Sequence, residues 1–334
     1  MGLDTAPRFE VADAVRLARD IYGLSAEAGP LPSERDQNFT LRSEAGEKFV
    51  LKIAKSDEAR SVLELQNAVL RHAARHAPAL ALQRLVPNSR GEDIATITGA
   101  QGLSYFLRLM TWLEGEIFVH ARPHDAALLE SLGSTMAELD LALQGFSHPA
   151  MGRQLHWDVK HADLALQYLP LLSNAQQAIV RRFMNAWDKI EWRGLRHSVI
   201  HGDANDYNVL VRGGRVAGLL DFGDIVHSAT ACDLAIALAY AMLGQPEPLA
   251  AASPVIRAYH ARFPLTEAES RSLFALTAAR LCLSVCYAAH NAQAKRGDAY
   301  QLVTAGPAWE LLQRLDAAPL ETLQNSFSNA CTPT

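Results

Sequence analysis

The chain has 334 residues, of which 49% are hydrophobic and 20% are charged, a balance typical of a globular protein and not of a disordered or fibrous one. This length favours two structural units over one. The formal net charge is −5, with 31 basic against 36 acidic residues, so the sequence offers no broad basic surface for nucleic acid or anionic lipid. We therefore expect small-molecule partners, with no nucleic acid and no membrane.

Cysteine usage and the N-terminal segment favour a cytoplasmic location. The four cysteines form no C-x-x-C pair, and three of them lie in apolar helical surroundings, where a free thiol behaves as a small hydrophobe. The N-terminus carries acidic residues early and lacks the basic start and apolar run of a signal peptide. Apolar helical faces serve cores and dimer interfaces alike, so the sequence leaves a homodimer open.

The first part of the chain is predicted to be rich in β-structure. Residues 10 to 28 have helical spacing, and the prolines of "GPLPSERDQN" interrupt it. Alternation in "FTLRSE" and "KFVLKIA" then predicts a β-hairpin. A helix is expected from Ser56 to about Ala77, and strands are expected at 93–98 and 104–110.

From about residue 122 the pattern is helical for most of the remaining chain. A β-rich first lobe, residues 1–112, and a mainly helical second lobe, residues 113–334, make an α+β protein of two unequal lobes. A cleft between lobes is a usual place for a ligand, so we expect the functional site there.

A polar cluster lies at the mouth of a second predicted hairpin. Both positions of a type I′ turn need positive φ, so Gly213–Gly214 between "NVLV" and "VAGLLD" predicts a two-residue hairpin turn. Counting back from the turn puts Asn208 opposite Leu219, and Asp221 comes two residues later on the same face. We therefore expect Asn208 and Asp221 to meet, with Asp203 in the loop just before them.

These residue types are those of metal-dependent phosphoryl transfer. A carboxamide oxygen from Asn208 and a carboxylate from Asp221 suit Mg²⁺, whose other ligands are water and phosphate oxygens. The carboxylate of Asp203 can take or orient the proton of a nucleophilic hydroxyl. The pattern D-x-x-x-x-N followed by D-F-G thus predicts a catalytic base and two metal ligands.

The segments H-G-D-x-x-x-x-N, "LLDFGD" and "DLAIALAY" resemble the aminoglycoside phosphotransferase and choline kinase superfamily, small-molecule relatives of the protein kinases. "HGDANDYNVLV", "GLLDFGDIVHSATACDLAIALAYAML" and "LPSERDQNFTL" are most similar to its hydroxylysine kinase branch. The resemblance extends from about residue 27 to 315. It implies a bilobal protein-kinase-like fold with nucleotide at the hinge, Asp203 as the catalytic base, and Asn208 and Asp221 as Mg²⁺ ligands.

Several first-lobe residues are candidates for nucleotide binding. Lys52 lies in a predicted strand where a kinase keeps the lysine that pairs the α and β phosphates. The turn "PSERDQNF" has no G-x-G-x-x-G, so Ser33, Asn38 and backbone amides are expected to cover the phosphates. "RLMTWLEGE" resembles the hinge, and the backbone around Met110 and Trp112 is expected to read the purine edge. Such contacts do not separate ATP from GTP.

The helix predicted to begin near Ser56 should supply a partner for Lys52. Helical geometry puts Gln66 inside the apolar face of this helix, whereas Glu64 points almost opposite. Gln66 is the preferred partner, and Glu58, which also falls near that face, is the alternative.

The acceptor site has three candidate residues in the second lobe. Asp224 directly follows the D-F-G and suits a substrate amine, and Trp157 belongs to a W-D pair that recurs in the resembled branch. Arg280 lies in an apolar helix and needs an anionic partner, either a structural acid or a substrate carboxylate. Two further polar residues are expected to be structural: His201 holds the loop, and Asp233 caps its helix or braces that loop.

We predict a small-molecule kinase that uses ATP or GTP with Mg²⁺ to phosphorylate a hydroxylated amino acid, and the resemblance favours 5-hydroxy-L-lysine. The alternatives are a kinase for homoserine, choline or an aminoglycoside antibiotic, or a catalytically inactive kinase-like binding protein. Polycationic antibiotics call for a densely acidic helical lobe, whereas residues 256–300 carry several arginines and lysines.

Overall fold

The computed structural model describes residues 5–33, 36–99, 102–293 and 299–332. Contacts between residues divide the chain into two compact units. The first comprises Met1–Ala74 and Ala81–Glu114, and the second comprises Arg75–Leu80 and Gly115–Thr334. The main division therefore lies two residues after the lobe boundary expected at residue 112.

The first unit is built on one antiparallel sheet. Its strands are β1 (Ala26–Leu31), β2 (Gln37–Ser43), β3 (Lys48–Ile53), β4 (Leu85–Val86), β5 (Ala95–Thr98) and β6 (Ser104–Thr111). Their order is β1-β2-β3-β6-β4, and β5 also pairs with β6. The hairpin of β2 and β3 and the two strands near residues 95 and 104 are confirmed.

Helix α1 (Val11–Tyr22) packs on one face of this sheet. Its buried side chains meet alternate strand residues, which are Phe39, Leu41, Leu51, Ile53, Leu107 and Leu109. Side chains alternate across a strand, so the residues between these point to the other face. Asn38, Lys52 and Arg108 are paired across β2, β3 and β6 and form a polar row on that other face.

The second unit is mainly helical. Its helices are α3 (Ala126–Ala142), α4 (Asn174–Trp187), α5 (Ala231–Ala241), α6 (Pro248–Arg262), α7 (Glu267–Gln293), α8 (Ala299–Asp316) and α9 (Leu320–Asn329). Helix α2 (Arg60–His76) begins in the first unit. The second unit's short strands are β7 (Glu116–Ile117), β8 (His197–Ile200), β9 (Val209–Arg212), β10 (Arg215–Leu219) and β11 (Val226–Ala229). The α+β class expected from the sequence is confirmed.

Helix α7 is the core of the second unit. It packs against α4, α5, α8 and α9 and against a 3₁₀-rich segment, Val159–Leu171. Its length and composition would suffice to cross a membrane, because an 18-residue stretch of the helix has a mean hydropathy of 1.6. However, 83% of that stretch is buried inside the protein. Such burial is the property of a core helix that is apolar on all sides.

Two predicted helix boundaries are wrong. Helix α1 ends at Tyr22 and not near residue 28, because Gly23 adopts φ 65° and its N–H donates to the Arg19 carbonyl, which closes the helix with a left-handed glycine. Helix α2 begins at Arg60 and not at Ser56. The residues just before it form a turn, so Glu58 does not lie on the helix.

The register of the second hairpin is also wrong at its open end. The turn at Gly213–Gly214 is confirmed, with φ values of 59° and 71°. A bulge between Val216 and Gly218, however, places Leu219 opposite Val209 and not opposite Asn208. The sequence count assumed an uninterrupted ladder, and one extra residue in one strand breaks that assumption.

Glycine at position 133 is required by close packing of α3 on α6. An added Cβ there would overlap the backbone carbonyl of Val255 in α6, and backbone cannot move aside as a side chain can. We expect Gly133→Ala to lower the free energy of unfolding by about 3 kcal/mol, measured by urea denaturation.

Gly306 in α8 provides the matched control, because a Cβ at this helical position meets nothing within 4 Å. Gly306→Ala should leave stability unchanged or raise it by up to about 1 kcal/mol. Equal effects at the two positions would contradict the packing explanation.

Candidate active site

The loop from residue 201 to residue 208 connects β8 to β9 and is held by a buried carboxylate. Asp233, in the first turn of α5, accepts the backbone N–H of His201 on Oδ2 at 2.9 Å and that of Gly202 on Oδ1 at 2.9 Å. These two bonds compensate the buried charge and fix the start of the loop. Of the two roles expected for Asp233, the structure shows the bracing of the loop.

His201 has the expected structural role. Its Nδ1 accepts the Asp203 N–H at 3.2 Å, so its Nε2 carries the proton and donates to the Leu220 carbonyl at 2.9 Å. Its ring packs edge-on against Phe222 at 4.7 Å. The imidazole therefore ties the loop to the end of β10.

Gly202 is the one loop position that excludes a side chain. Its φ is 78°, and an added Cβ would lie 2.5 Å from the carbonyl oxygen of Asp224. Both facts require glycine. The close approach also places the Asp224 backbone directly beside the loop, with the Asp224 side chain buried.

Asp203 receives three side-chain hydrogen bonds, one of them charged. Its Oδ2 accepts from Asn205 Nδ2 at 2.9 Å and from Asn208 Nδ2 at 2.9 Å. Its Oδ1 accepts from Arg280 Nη2 at 2.7 Å. The Asp203 side chain keeps 21% of its surface exposed, whereas Arg280 keeps 3%. The site thus offers a partly accessible carboxylate with a buried counter-ion.

The surroundings of Asp203 favour a proton-accepting role near neutral pH. Burial raises the pKa of the Asp203 carboxyl to about 7, Arg280 opposes this rise, and the nearby charges of Asp224 and Asp221 add to it. A carboxyl with a pKa close to the working pH is suited to general acid–base chemistry.

Asn205 is a functional residue that sequence reasoning missed. Its buried side-chain oxygen accepts the N–H of Tyr207 at 2.8 Å and that of Asn208 at 3.1 Å, which is an Asx-type turn. Its Nδ2 meanwhile contacts Asp203. The density of Asn and Asp in "DANDYN" is the signal that could have indicated this turn.

Asn208 and Asp221 carry the oxygen atoms that the predicted metal-binding role needs, and this role stays a prediction. Asn208 uses Nδ2 for Asp203, donating to its backbone oxygen and to Oδ2 at 2.9 Å each, so the carboxamide oxygen is directed elsewhere. Asp221 is exposed at the end of β10, with φ 54° and its Oδ1 accepting the Gly223 N–H at 3.1 Å. Over the described residues, no three His, Cys, Asp or Glu side chains converge on one point. A Mg²⁺ ion would thus rely on these two oxygens with water and phosphate.

Arg280 lies on the core helix α7 and links the loop to a cluster of aromatic side chains. Its guanidinium lies 4.9 Å from the Trp157 ring centre and 5.5 Å from that of Tyr240. Trp157 in turn packs on Tyr287 at 4.8 Å. The sequence left a structural acid and a substrate carboxylate open as partners of Arg280, and the structure assigns a protein acid, Asp203.

A second buried acid lies behind the loop. Asp140 of α3 accepts the Tyr259 hydroxyl at 2.5 Å, and burial, with the charge of Asp233 adding to it, raises the pKa of Asp140 well above its ordinary value. The nearby Glu269 carboxylate is paired with Arg196 at 2.5 Å. Burial thus favours the protonated form of Asp140, next to the carboxylate of Asp233 that holds the loop.

In the first unit, two of the candidate phosphate-binding residues are neighbours on adjacent strands. Lys52 is half-buried and pairs across the sheet with Asn38, and Asn38 Oδ1 is buried with no hydrogen-bond partner among the residues described. Ser33 is exposed between β1 and β2. Glu34 and Arg35 of the same predicted turn lie outside the described residues.

Helix α2 presents carboxamides to the sheet and not an acid. Gln66 Oε1 accepts from Arg108 Nη2 at 2.7 Å, and Asn67 Oδ1 accepts from Arg108 Nη1 at 2.9 Å. Glu64 is exposed and forms an ion pair with Arg60, which agrees with the prediction that it points away from the apolar face of the helix. Gln66 thus points to the expected face but holds Arg108, the neighbour of Lys52 on β6, and its contact with Lys52 stays a prediction.

The predicted hinge needs a correction at its backbone. The Trp112 N–H donates to the Lys48 carbonyl at 3.2 Å, so it is not available to a purine edge, and Met110 is buried in the sheet between β3 and β4. The Trp112 side chain instead lines a cavity of about 370 Å³ in the first unit, with Glu27, Ala28, Gly29, Thr40, Leu41, Arg42 and Lys48. Except for Trp112, the sequence reasoning missed these residues.

The model of the phosphotransferase enzyme family matches residues 27–273 of this chain. The chain belongs to this family. It is 28% identical to the hydroxylysine kinase of Bos taurus over 341 residues, which cover 93% of this chain and 90% of the relative. It is 27% identical to a homoserine kinase of Nitrobacter winogradskyi, and the alignment covers 79% of this chain and 78% of the relative.

Solved structures show the same fold for this phosphotransferase. A microcompartment-associated aminopropanol kinase superposes with a TM-score of 0.71 at 18% identity, covering 92% of this chain and 98% of the other. An amicoumacin kinase in complex with AMP-PNP, Ca²⁺ and amicoumacin gives a TM-score of 0.70 at 15% identity, with 93% and 95% covered. These matches confirm the kinase-like α+β fold, and the family model over residues 27–273 confirms the family resemblance.

The raised pKa of Asp140 makes the stability of this phosphotransferase depend on pH. The folded chain holds the Asp140 proton more tightly than the unfolded chain, so this stabilisation is complete below the ordinary pKa of 3.8 and is lost as pH rises toward the folded value. The wild-type free energy of unfolding should fall by up to about 1.4 kcal/mol per pH unit in that interval.

Asp140→Asn should flatten this dependence, because an amide keeps the shape and cannot ionise. We expect the variant to gain stability relative to wild type as pH rises above 3.8, measured by urea denaturation. The exposed Asp163→Asn makes the same charge change as a control. Parallel pH profiles for wild type and Asp140→Asn would contradict the assignment.

Nucleotide binding at the first-unit cavity can be tested by filling it. Thr40 lines the cavity, and Thr40→Phe should raise the KM for nucleotide about tenfold or more through steric exclusion, with little change in the KM for acceptor. Thr98→Phe, at an exposed position on β5, is the control. Unchanged steady-state nucleotide KM in Thr40→Phe would show that the nucleotide binds elsewhere.

Proposed function

We propose that this small-molecule kinase transfers the γ-phosphoryl group of ATP or GTP to the hydroxyl of a hydroxylated amino acid, with 5-hydroxy-L-lysine as the first candidate. The relatives described above are named for hydroxylysine and homoserine, which are both hydroxy amino acids. The match to hydroxylysine kinase extends over nearly the whole of both chains. A cytoplasmic location is part of the same proposal.

The observation that carries the proposal is the state of Asp203. A carboxylate with 21% of its side-chain surface exposed, backed by a buried arginine and two carboxamides, can receive a hydroxyl from outside while its own charge stays compensated. In phosphoryl transfer the protein contributes mainly positioning and charge compensation. Asp203 therefore orients the acceptor hydroxyl and takes its proton.

The remaining residues have supporting roles in this proposal. Asn208 and Asp221 hold Mg²⁺, which when bound neutralises triphosphate charge and orients the phosphates. In the first unit, Lys52 steadies the phosphates and Trp112 borders the base. Asp224, whose charge acts on Asp203, is the candidate partner of a substrate amine.

Replacement of the base tests the proposal directly. Asp203→Asn keeps the size of the side chain but cannot accept the proton, so we expect kcat for acceptor phosphorylation to fall by about 10²–10⁴-fold. Product formation should be followed by mass spectrometry, and Asp163→Asn should keep wild-type activity. Equal rates in wild type and Asp203→Asn would show that the protein is not a kinase of this mechanism.

A panel of acceptors identifies the substrate. Hydroxylysine, homoserine, choline, aminopropanol and an aminoglycoside should each be offered with ATP and with GTP. The proposal requires the highest kcat/KM for a hydroxy amino acid. A preference for choline or for an aminoglycoside would move the protein to another branch of the family, and no turnover with any acceptor would favour a binding protein.

A further inference from the structure

We propose that Arg280 is a positioning residue for the transfer: it fixes the Asp203 carboxylate so that the acceptor hydroxyl is received by Oδ1 and not by Oδ2. This inference rests on the proposed function and assigns a role to a core-helix residue 77 positions away from the loop in sequence.

The hydrogen bonds of Asp203 leave one position for a hydroxyl. An ionised carboxylate has about four lone-pair directions, two on each oxygen. Among the described residues, the Asn205 and Asn208 carboxamides use both directions on Oδ2. Arg280 uses one direction on Oδ1. The remaining direction is on Oδ1, next to the guanidinium.

The guanidinium is itself rigidly placed. It stacks against Trp157 and Tyr240, and Nη2 also lies 3.2 Å from the Tyr240 hydroxyl. Arginine is suited to such a site because its planar group can stack and form directed hydrogen bonds at the same time. A lysine ammonium would keep the charge but lose the stacking.

Burial decides between a positioning role and direct substrate binding. Arg280 is 3% exposed and Asp203 is 21% exposed at the side chain, so an incoming acceptor meets the carboxylate and not the guanidinium. Arg280 thus acts through Asp203.

In the transfer step, the acceptor hydroxyl donates its hydrogen bond to Asp203 Oδ1. The hydroxyl oxygen then forms a bond to the γ-phosphorus, while the bond between the γ-phosphorus and the β,γ-bridging oxygen breaks. The hydroxyl proton is transferred to Asp203 Oδ1, and the electron pair of the broken phosphorus–oxygen bond leaves with the nucleoside diphosphate.

The first experiment removes the guanidinium. Arg280→Met should lower kcat about 10–100-fold, because a displaced base costs rate, and should leave the KM for acceptor and nucleotide within about threefold of wild type. Arg280→Lys should recover part of the lost kcat by restoring the charge. A rise in acceptor KM with kcat unchanged would show that Arg280 binds substrate, which overturns the inference.

The second experiment is a double-mutant cycle with the base. If Arg280 acts only through Asp203, then Arg280→Met should have no further effect on the residual activity of Asp203→Asn. Multiplicative losses in the double variant would mean that Arg280 acts on the reacting groups independently, and the inference would be wrong.

Arg196 provides a closely matched control. Its guanidinium also stacks on an aromatic ring, that of Phe263 at 4.1 Å, and pairs with a buried carboxylate, Glu269. Among the residues that the structure describes, no hydrogen bond or ion pair joins Arg196 to the 201–208 loop. Arg196→Met should lower the melting temperature without a selective loss of kcat. If Arg196→Met lost as much kcat as Arg280→Met, both losses would be due to general destabilisation, and the inference would be wrong.

A milder variant keeps the test valid if Arg280→Met does not fold. Tyr240→Phe preserves the ring under the guanidinium and removes only its hydroxyl contact, so we expect a severalfold drop in kcat at unchanged KM. Wild-type kcat in both Tyr240→Phe and Arg280→Lys would overturn the inference. A wild-type protein that phosphorylates no acceptor would instead refute the proposed function, and the two failures are therefore distinguishable.

Discussion

A carboxylate that is four-fifths buried and yet open to a substrate must be compensated from inside the protein. Asp203 meets this constraint with a guanidinium on one oxygen and two carboxamides on the other. Unpaired, a charge at such a depth would be neutralised by protonation. The arrangement of the loop, the core helix and the aromatic residues around Arg280 follows from this requirement.

The loop that carries Asp203 is itself held by a buried carboxylate. Asp233 accepts two backbone N–H groups of the loop, while burial and the neighbouring Asp233 raise the pKa of Asp140. Two like charges so close together in the interior would repel each other strongly, so the protonated form of Asp140 is favoured. Helices α3, α5 and α6 of the second unit supply Asp140, Asp233 and Tyr259, whose hydroxyl contacts Asp140.

Helix α2 of the first unit meets the sheet through carboxamides. Gln66 and Asn67 both accept hydrogen bonds from Arg108. Carboxamides form hydrogen bonds without the cost of burying a second charge. Two buried polar atoms in this unit, Asn38 Oδ1 and Trp112 Nε1, have no protein partner among the residues described and suit a polar ligand.

The sequence by itself determined the family, the α+β class, the hairpin turns and the structural role of His201, because turns, strand alternation and short motifs depend on neighbours along the chain. It left two roles open for Asp233, and the structure chose between them. Only the tertiary structure decided the partner of Arg280, the bulge near Val216 and the contacts of Gln66. Arg280 and Asp203 are brought together by the packing of α7, and Gln66 and Arg108 by the packing of α2 on the sheet. Such pairings depend on the sum of many long-range contacts, and no local pattern of residues encodes them.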